Sequence, residues 1–234
     1  GAIWYQGETN FWAGDRANYF DKQKVLIDSW RQIWKQGDFP FYLVQLAPGL
    51  GDALPLFWEA QARTLSVRNT GIVSTNDIGG DPVHPRDKRG VGERLARWPL
   101  AKLYGKKIPF SGPLFRDAKV RDAGVVIRFD YAREGLMVGR IEGVGKIIEA
   151  KNGTLHGFEL VGEDGVWHPA KAKVKGQTVL VKSLSVKQPV AVRYACHPEA
   201  PKERPWNLYN KAGLPASPFC SDWTKMPYDP AKNP

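Results

Sequence analysis

Three short apolar runs, at residues 2–5, 41–46 and 71–75, alternate with segments of helical periodicity, and this alternation limits what the first half of the chain can fold into. A run that is apolar over most of its length, without alternation, offers no face to water, so it reads as a strand buried on both sides, the condition found in parallel sheets. Parallel neighbours need a crossover, and the intervening segments supply one each. In residues 16–35, Phe20, Ile27, Trp30 and Trp34 fall on one helical face, and Gly37 marks the stop. Residues 56–67 read as a second helix. A third follows Pro85, a residue suited to the first helical turn, where no N–H is needed. Residues 1–108 are therefore expected to form an α/β domain of three layers.

Beyond about residue 113 the texture changes to short alternating segments divided by glycine turns, such as Glu163-Asp164-Gly165. This predicts an antiparallel β-rich module over residues 109–197. Residues 198–234 carry eight prolines and read as mostly irregular chain. Cys196 and Cys220 form no CxxC pair and lie near no paired histidines, so they give no metal signature; a disulfide between them and two free thiols both remain open. The formal net charge is +10. The basic residues are scattered, and Lys171, Lys173 and Lys175 alternate with apolar residues as on the exposed face of a strand. No nucleic-acid recognition motif accompanies the charge, so nucleic acid is not the expected partner. Neither is a membrane, since no run of about 18 apolar residues is present.

Two clusters carry chemistry. Asp81-Pro82-Val83-His84 follows the third strand and precedes a helix. A carboxylate three residues before a histidine can hold the imidazole in one tautomer, as a hydrolytic base requires, although a histidine in that position also serves as a surface or capping residue. Trp4-Tyr5-Gln6-Gly7-Glu8 ends the first strand. An amide there can donate to an oxyanion, and a carboxylate just beyond can orient an imidazole or bind a sugar hydroxyl. Both clusters follow strands and so share the carboxyl edge of the sheet, where α/β folds place their sites. Trp12 and Trp58 can stack on a sugar ring or simply anchor packed loops. Asp77 reads as a brace for its loop. His156, His168 and His197 fall in the β module or tail and read as turn or surface histidines.

Together these blocks resemble the SGNH hydrolases, and within them the sialate O-acetylesterase and acetylxylan esterase group. The matching stretches are WYQGETN from Trp4, WEAQARTLS from Trp58, STNDIGGDPVHPRDKRGVGERLA from Ser74 and NLYNKAGLPASPF from Asn207. The resemblance implies a flavodoxin-like SGNH domain, incomplete at its N-terminal side. It implies an esterase hydrolysing acetyl esters on sugars, with His84 as general base, Asp81 or else Glu8 as the acid that steadies it, and Gln6 as oxyanion donor. It implies no cofactor and an O-acetylated carbohydrate substrate. It also implies a secreted, periplasmic or lysosomal location.

The family's nucleophile sits in a G-Q-S-N block that these 234 residues do not contain. Ser66, Ser74 and Ser111 lie in ordinary helix, strand and loop contexts. The expectation is that a preceding segment or partner chain supplies the serine and that this chain alone is inactive. The alternative is a non-catalytic carbohydrate-binding protein with vestigial hydrolase motifs.

Overall fold

The computed structural model describes residues 1–78, 84–85, 87–121, 124–143, 145–198, 200 and 205–226. It divides into two units, Gly1–Ser111 and a second that begins at Gly112.

In the first unit, β1 (Ala2–Trp4), β2 (Phe41–Val44) and β3 (Thr70–Val73) form a parallel sheet in the order β1-β2-β3. Trp4 stands level with Leu43, and Leu43 with Ile72. The helices are α1 (Glu8–Trp12), α2 (Tyr19–Trp34), α3 (Leu54–Arg63) and α4 (Lys88–Lys102). All four residues of β2 are buried, because both faces are covered. Phe41 and Leu43 pack with Ile27 of α2 and Ile72. Tyr42 packs with Trp98 of α4, and Val44 with Val91 of the same helix. This two-sided burial is why the sequence reads FYLV without alternation. β1 pairs only with β2 among the described residues, and Ile3 at its centre is 69% exposed.

Each strand ends one or two residues earlier than its apolar run. Gln45 N–H still donates to the Val73 carbonyl at 2.9 Å, and beyond it the backbone bonds to side chains: Leu46 N–H donates to Oε1 of Gln61 at 3.0 Å, and the Thr75 hydroxyl donates to the Gln45 carbonyl at 3.0 Å. The expected face of α2 also needs correction. Its buried line is Tyr19, Gln23, Ile27 and Arg31, while Trp34 is 49% exposed and stacks on Trp30 and Phe39. The polar members are inside because they have partners. Arg31 donates to the carbonyls of Phe39 and Arg68, both at 2.8 Å, and Gln23 accepts from the Thr64 hydroxyl at 2.8 Å. Pro85 does not open α4. The helix starts at Lys88, capped by Asp87, whose carboxylate accepts from Gly90 N–H at 2.8 Å.

The second unit is antiparallel throughout. Its strands are β4 (Leu114–Arg121), β5 (Gly124–Asp130), β6 (Leu136–Glu142), β7 (Lys146–Glu149), β8 (Phe158–Val161), β9 (Trp167–Pro169), β10 (Lys171–Lys175), β11 (Thr178–Lys182), β12 (Ala191–Tyr194), β13 (Leu208–Asn210) and β14 (Phe219–Cys220). They make three sheets, β10-β11-β5-β4, β14-β12-β8-β9 and β13-β6-β7. The stretch expected to be irregular thus contributes two strands, together with the buried Trp206. Phe219 of β14 stacks on Phe115 with ring centroids 4.6 Å apart and stands edge-on to Phe129. Strands of two or three residues are too short to show a period, so only the turn residues between them were visible in the sequence. Cys196 and Cys220 are free buried thiols; burial pushes Cys196 well above the usual range and Cys220 up to about 11.

Helix packs tightly on sheet at Gly71, where an added Cβ would stand 2.5 Å from two ring atoms of Trp98. Gly71→Ala is expected to destabilise the first unit by about 1–3 kcal/mol, since a buried indole between helix and sheet has little room to retreat. Urea unfolding followed by tryptophan fluorescence checks this.

Candidate active site

The carboxyl ends of β1 and β3 lie two strand spacings apart, about 10 Å. From β1 the chain runs directly into Gln6, Gly7 and Glu8. Gly7 adopts φ 149°, a conformation that favours glycine, and precedes the first residue of α1. An added Cβ would also meet the Phe57 ring at 2.8 Å. The glycine thus admits a core side chain beneath the turn.

The turn fixes the Gln6 side chain through a sequence of polar contacts. Its Nε2 donates to Oδ1 of Asn10 at 2.8 Å, and the Tyr19 hydroxyl donates to the Gln6 carbonyl at 3.1 Å and to Oε1 at 3.3 Å. Asn10 in turn donates to Asp15 at 2.7 Å, and Asp15 accepts both contacts from Lys22, at 2.6 and 2.8 Å. An amide nitrogen carries two protons, so one N–H of Gln6 is committed to Asn10 and the second is available for another acceptor. Burial lifts the Tyr19 phenol to about 12, opposed by the Trp4 side chain and aided by the charges of Glu8 and Asp15. Burial likewise lifts Tyr5 to about 12, with Thr75 opposing and Glu8 adding. Both phenols therefore stay neutral near neutral pH, and neither is a base. Glu8 sits at the start of α1, close enough to raise both.

From β3 the chain enters Ser74 to Ile78. Asp77 is gripped by Arg94 of α4 through two parallel contacts of 2.7 Å each, and the same guanidinium donates to the Ser74 carbonyl at 2.9 Å. The side chains of Arg94 and Asp77 are 9% and 2% exposed. This pair secures the root of the loop that leads to His84, so Asp77 is the brace the sequence suggests. His84 itself is exposed. Asp81 lies outside the described residues.

The two tryptophans part company. Trp12, at the end of α1, is 65% exposed and free to meet a ligand. Trp58 is 1% exposed and donates its indole N–H to the Leu46 carbonyl at 2.7 Å. The expectation that it touches sugar is corrected, because the ring is a core anchor on α3 that holds the loop after β2. Sequence reasoning missed Asn10, Asp15, Lys22 and Arg94. Asn10 had a usable signal, its spacing four residues after Gln6 at a helix start. Asp15, Lys22 and Arg94 act across turns and elements, where spacing carries no information.

Comparison with known proteins agrees with the motifs. Residues 1–100 match the family described as carbohydrate esterase, sialic acid-specific acetylesterase. Human sialate O-acetylesterase is 33% identical over 138 residues, covering 49% of this chain and 26% of that protein. The rat sialate O-acetylesterase is 28% identical over 246 residues, covering 94% of this chain and 43% of that protein. Among solved structures, a carbohydrate acetylesterase from Xanthomonas citri superposes with a TM-score of 0.81 at 34% identity, over 95% of this chain and 50% of that one. The fold is thus a mixed α/β fold like that of a carbohydrate acetylesterase, and the chain is a relative of the sialate O-acetylesterases that spans half or less of their length.

Two outcomes follow from the buried charges. Arg94→Ala leaves the Asp77 carboxylate buried without its cation and is expected to cost about 3–5 kcal/mol in urea unfolding. At Asp15, burial alone would raise the carboxyl, but Lys22, Asn10 and Asn18 outweigh it and hold it below the ordinary 3.8. Its folded value being the lower one, the stabilisation is complete above pH 3.8 and is lost as pH falls through the folded value. Asp15→Asn should therefore be less stable than wild type at pH 7, with the gap narrowing below pH 3.8 in urea midpoints measured down to pH 2.

Proposed function

We propose that this chain is the base-bearing and oxyanion-bearing part of a carbohydrate O-acetylesterase, built on a three-layer flavodoxin-like SGNH domain. The nucleophilic serine comes from a part of the protein outside these 234 residues. In the reaction the serine hydroxyl attacks the acetyl carbonyl and His84 takes its proton. Asp81, or in its place Glu8, steadies the resulting imidazolium. The second N–H of Gln6 donates to the tetrahedral oxyanion. His84 then returns the proton to the departing sugar oxygen, and water repeats the sequence to release acetate. Trp12 offers a face for the sugar ring.

The observation that carries this reading is the amide of Gln6, oriented by Asn10 and Tyr19 at the carboxyl edge of the sheet that also leads to His84. A donor held before substrate arrives has little reorganisation left to undergo in the transition state. The relatives named above are carbohydrate and sialate acetylesterases, which supports an acetylated sugar as substrate. The side of β1 that pairs with no strand among the described residues, with Ile3 turned out, suits a further strand from the same protein.

The test compares p-nitrophenyl acetate hydrolysis by the 234-residue chain with hydrolysis by the protein completed with its serine-bearing part. The chain alone is expected to show no turnover above its own His84→Ala variant. In the completed protein, His84→Ala should lower kcat by at least about a thousandfold. Robust turnover by the chain alone, abolished by His84→Ala, would overturn the external serine. An inactive completed protein that still binds glycan would instead favour a carbohydrate-binding protein.

A further inference from the structure

The second unit holds a groove of about 1170 Å³, larger than most small-molecule pockets. One wall is β10 and the other is the segment from Glu149 to Glu159, joined by a single antiparallel bridge between Leu155 and Ala172. At one end stands a charge cluster built on a cross-strand pair, Arg193 of β12 directly opposite Glu159 of β8, and extended by His197. Glu159, with its side chain 12% exposed, accepts from Nε of Arg193 at 2.7 Å and meets Nε2 of His197 at 2.7 Å. The Arg193 guanidinium lies over the Trp167 ring, 4.4 Å from its centroid. Burial works to raise the Glu159 carboxyl, but His197 and Arg193 bring it down to about 2. Glu159 is therefore an acceptor only, so Nε2 of His197 carries the proton that bridges them. The result is an imidazole locked at the groove's end and 46% exposed.

The charge along the groove is one-sided. Glu159 is matched by Arg193 and His197, and Glu149 by Lys211 at 2.7 Å. Lys151, Lys171 and Lys173 also line it, and no carboxylate pairs with them among the described residues. Lys171 moreover stands directly across the ladder from Lys182, a like-charge pairing that costs stability in an isolated sheet. Such an arrangement is relieved by an anion. None of the large exposed apolar side chains of the described residues lines the groove, and its apolar lining comes from buried residues such as Leu155 and Phe158.

We propose that this groove in the second unit is a further binding site, for a carboxylate-bearing oligosaccharide: His197 anchors one end, and Lys171 and Lys173 engage its carboxylates along β10. Preference for a saccharide over an acidic peptide rests in part on the esterase reading; the anion-binding character does not.

Calorimetry on the intact protein at low salt, with sialyllactose and trigalacturonate as acidic probes, lactose as the neutral match and hexaglutamate as the peptide, tests this. At least one acidic saccharide should bind at least tenfold tighter than lactose. Lys171→Glu combined with Lys173→Glu should weaken that binding at least tenfold while leaving p-nitrophenyl acetate turnover unchanged, and His84→Ala should leave the binding intact. The reversal puts a carboxylate opposite Lys182, so folding should survive it; His197→Gln gives a second, charge-neutral variant expected to weaken binding severalfold. Equal binding of lactose, indifference to the lysine reversal, or tighter binding of hexaglutamate would overturn the proposal. Binding that persists in a protein with no esterase activity would remove the catalytic reading and leave the groove.

Discussion

The first unit depends on the burial of β2 on both faces. A strand with α2 packed on one side and α4 on the other cannot use water for its backbone, so its polar groups must be met by the neighbouring strands and, past the strand end, by side chains. Gln61, Trp58 and Thr75 perform that task, and all three are buried. The loops at the carboxyl edge therefore begin from fixed points, and any residue carried on their first few positions inherits a defined place. Gln6 has such a position one residue beyond Tyr5, and the root of the His84 loop has another.

Among the described residues, buried charge is consistently paired. Arg94 with Asp77, Lys22 with Asp15 and Arg193 with Glu159 each have at least one member almost out of solvent. Pairs of this kind contribute little net stability over a well-packed apolar substitute, because desolvation offsets the attraction. What they supply is position. Asp77 ties a loop to a helix, Asp15 turns an asparagine that turns a glutamine, and Glu159 sets the ring of His197. In the first unit the positioned groups lie on the loops proposed to act on an acetyl ester; in the second they lie at the end of a cationic groove.

The alternation of strand and helix and the parallel order it requires were legible from local pattern, and a contiguous motif was enough to propose Gln6 and His84. The apolar face of α2 was misjudged for a physical reason. Hydrophobicity ranks Trp34 above Gln23 and Arg31, but the latter two find partners inside, on the Thr64 hydroxyl and on the carbonyls of Phe39 and Arg68, and the indole does not need to be buried. Trp58 was misjudged in the opposite direction, since a tryptophan in a motif looks like a ligand contact until its N–H is seen bonded to Leu46 in the core.

The sequence by itself determined the parallel α/β first unit, the β-rich second unit and the kinship with sialate O-acetylesterases, because periodicity and motif are properties of neighbouring residues. Tertiary structure alone decided that Asn10, Asp15 and Lys22 orient Gln6, that Arg94 holds Asp77, and that His197 and Glu159 meet at a groove. Those contacts join residues whose separation along the chain bears no fixed relation to their separation in space, and only the packing of the elements that carry them brings the atoms within bonding distance.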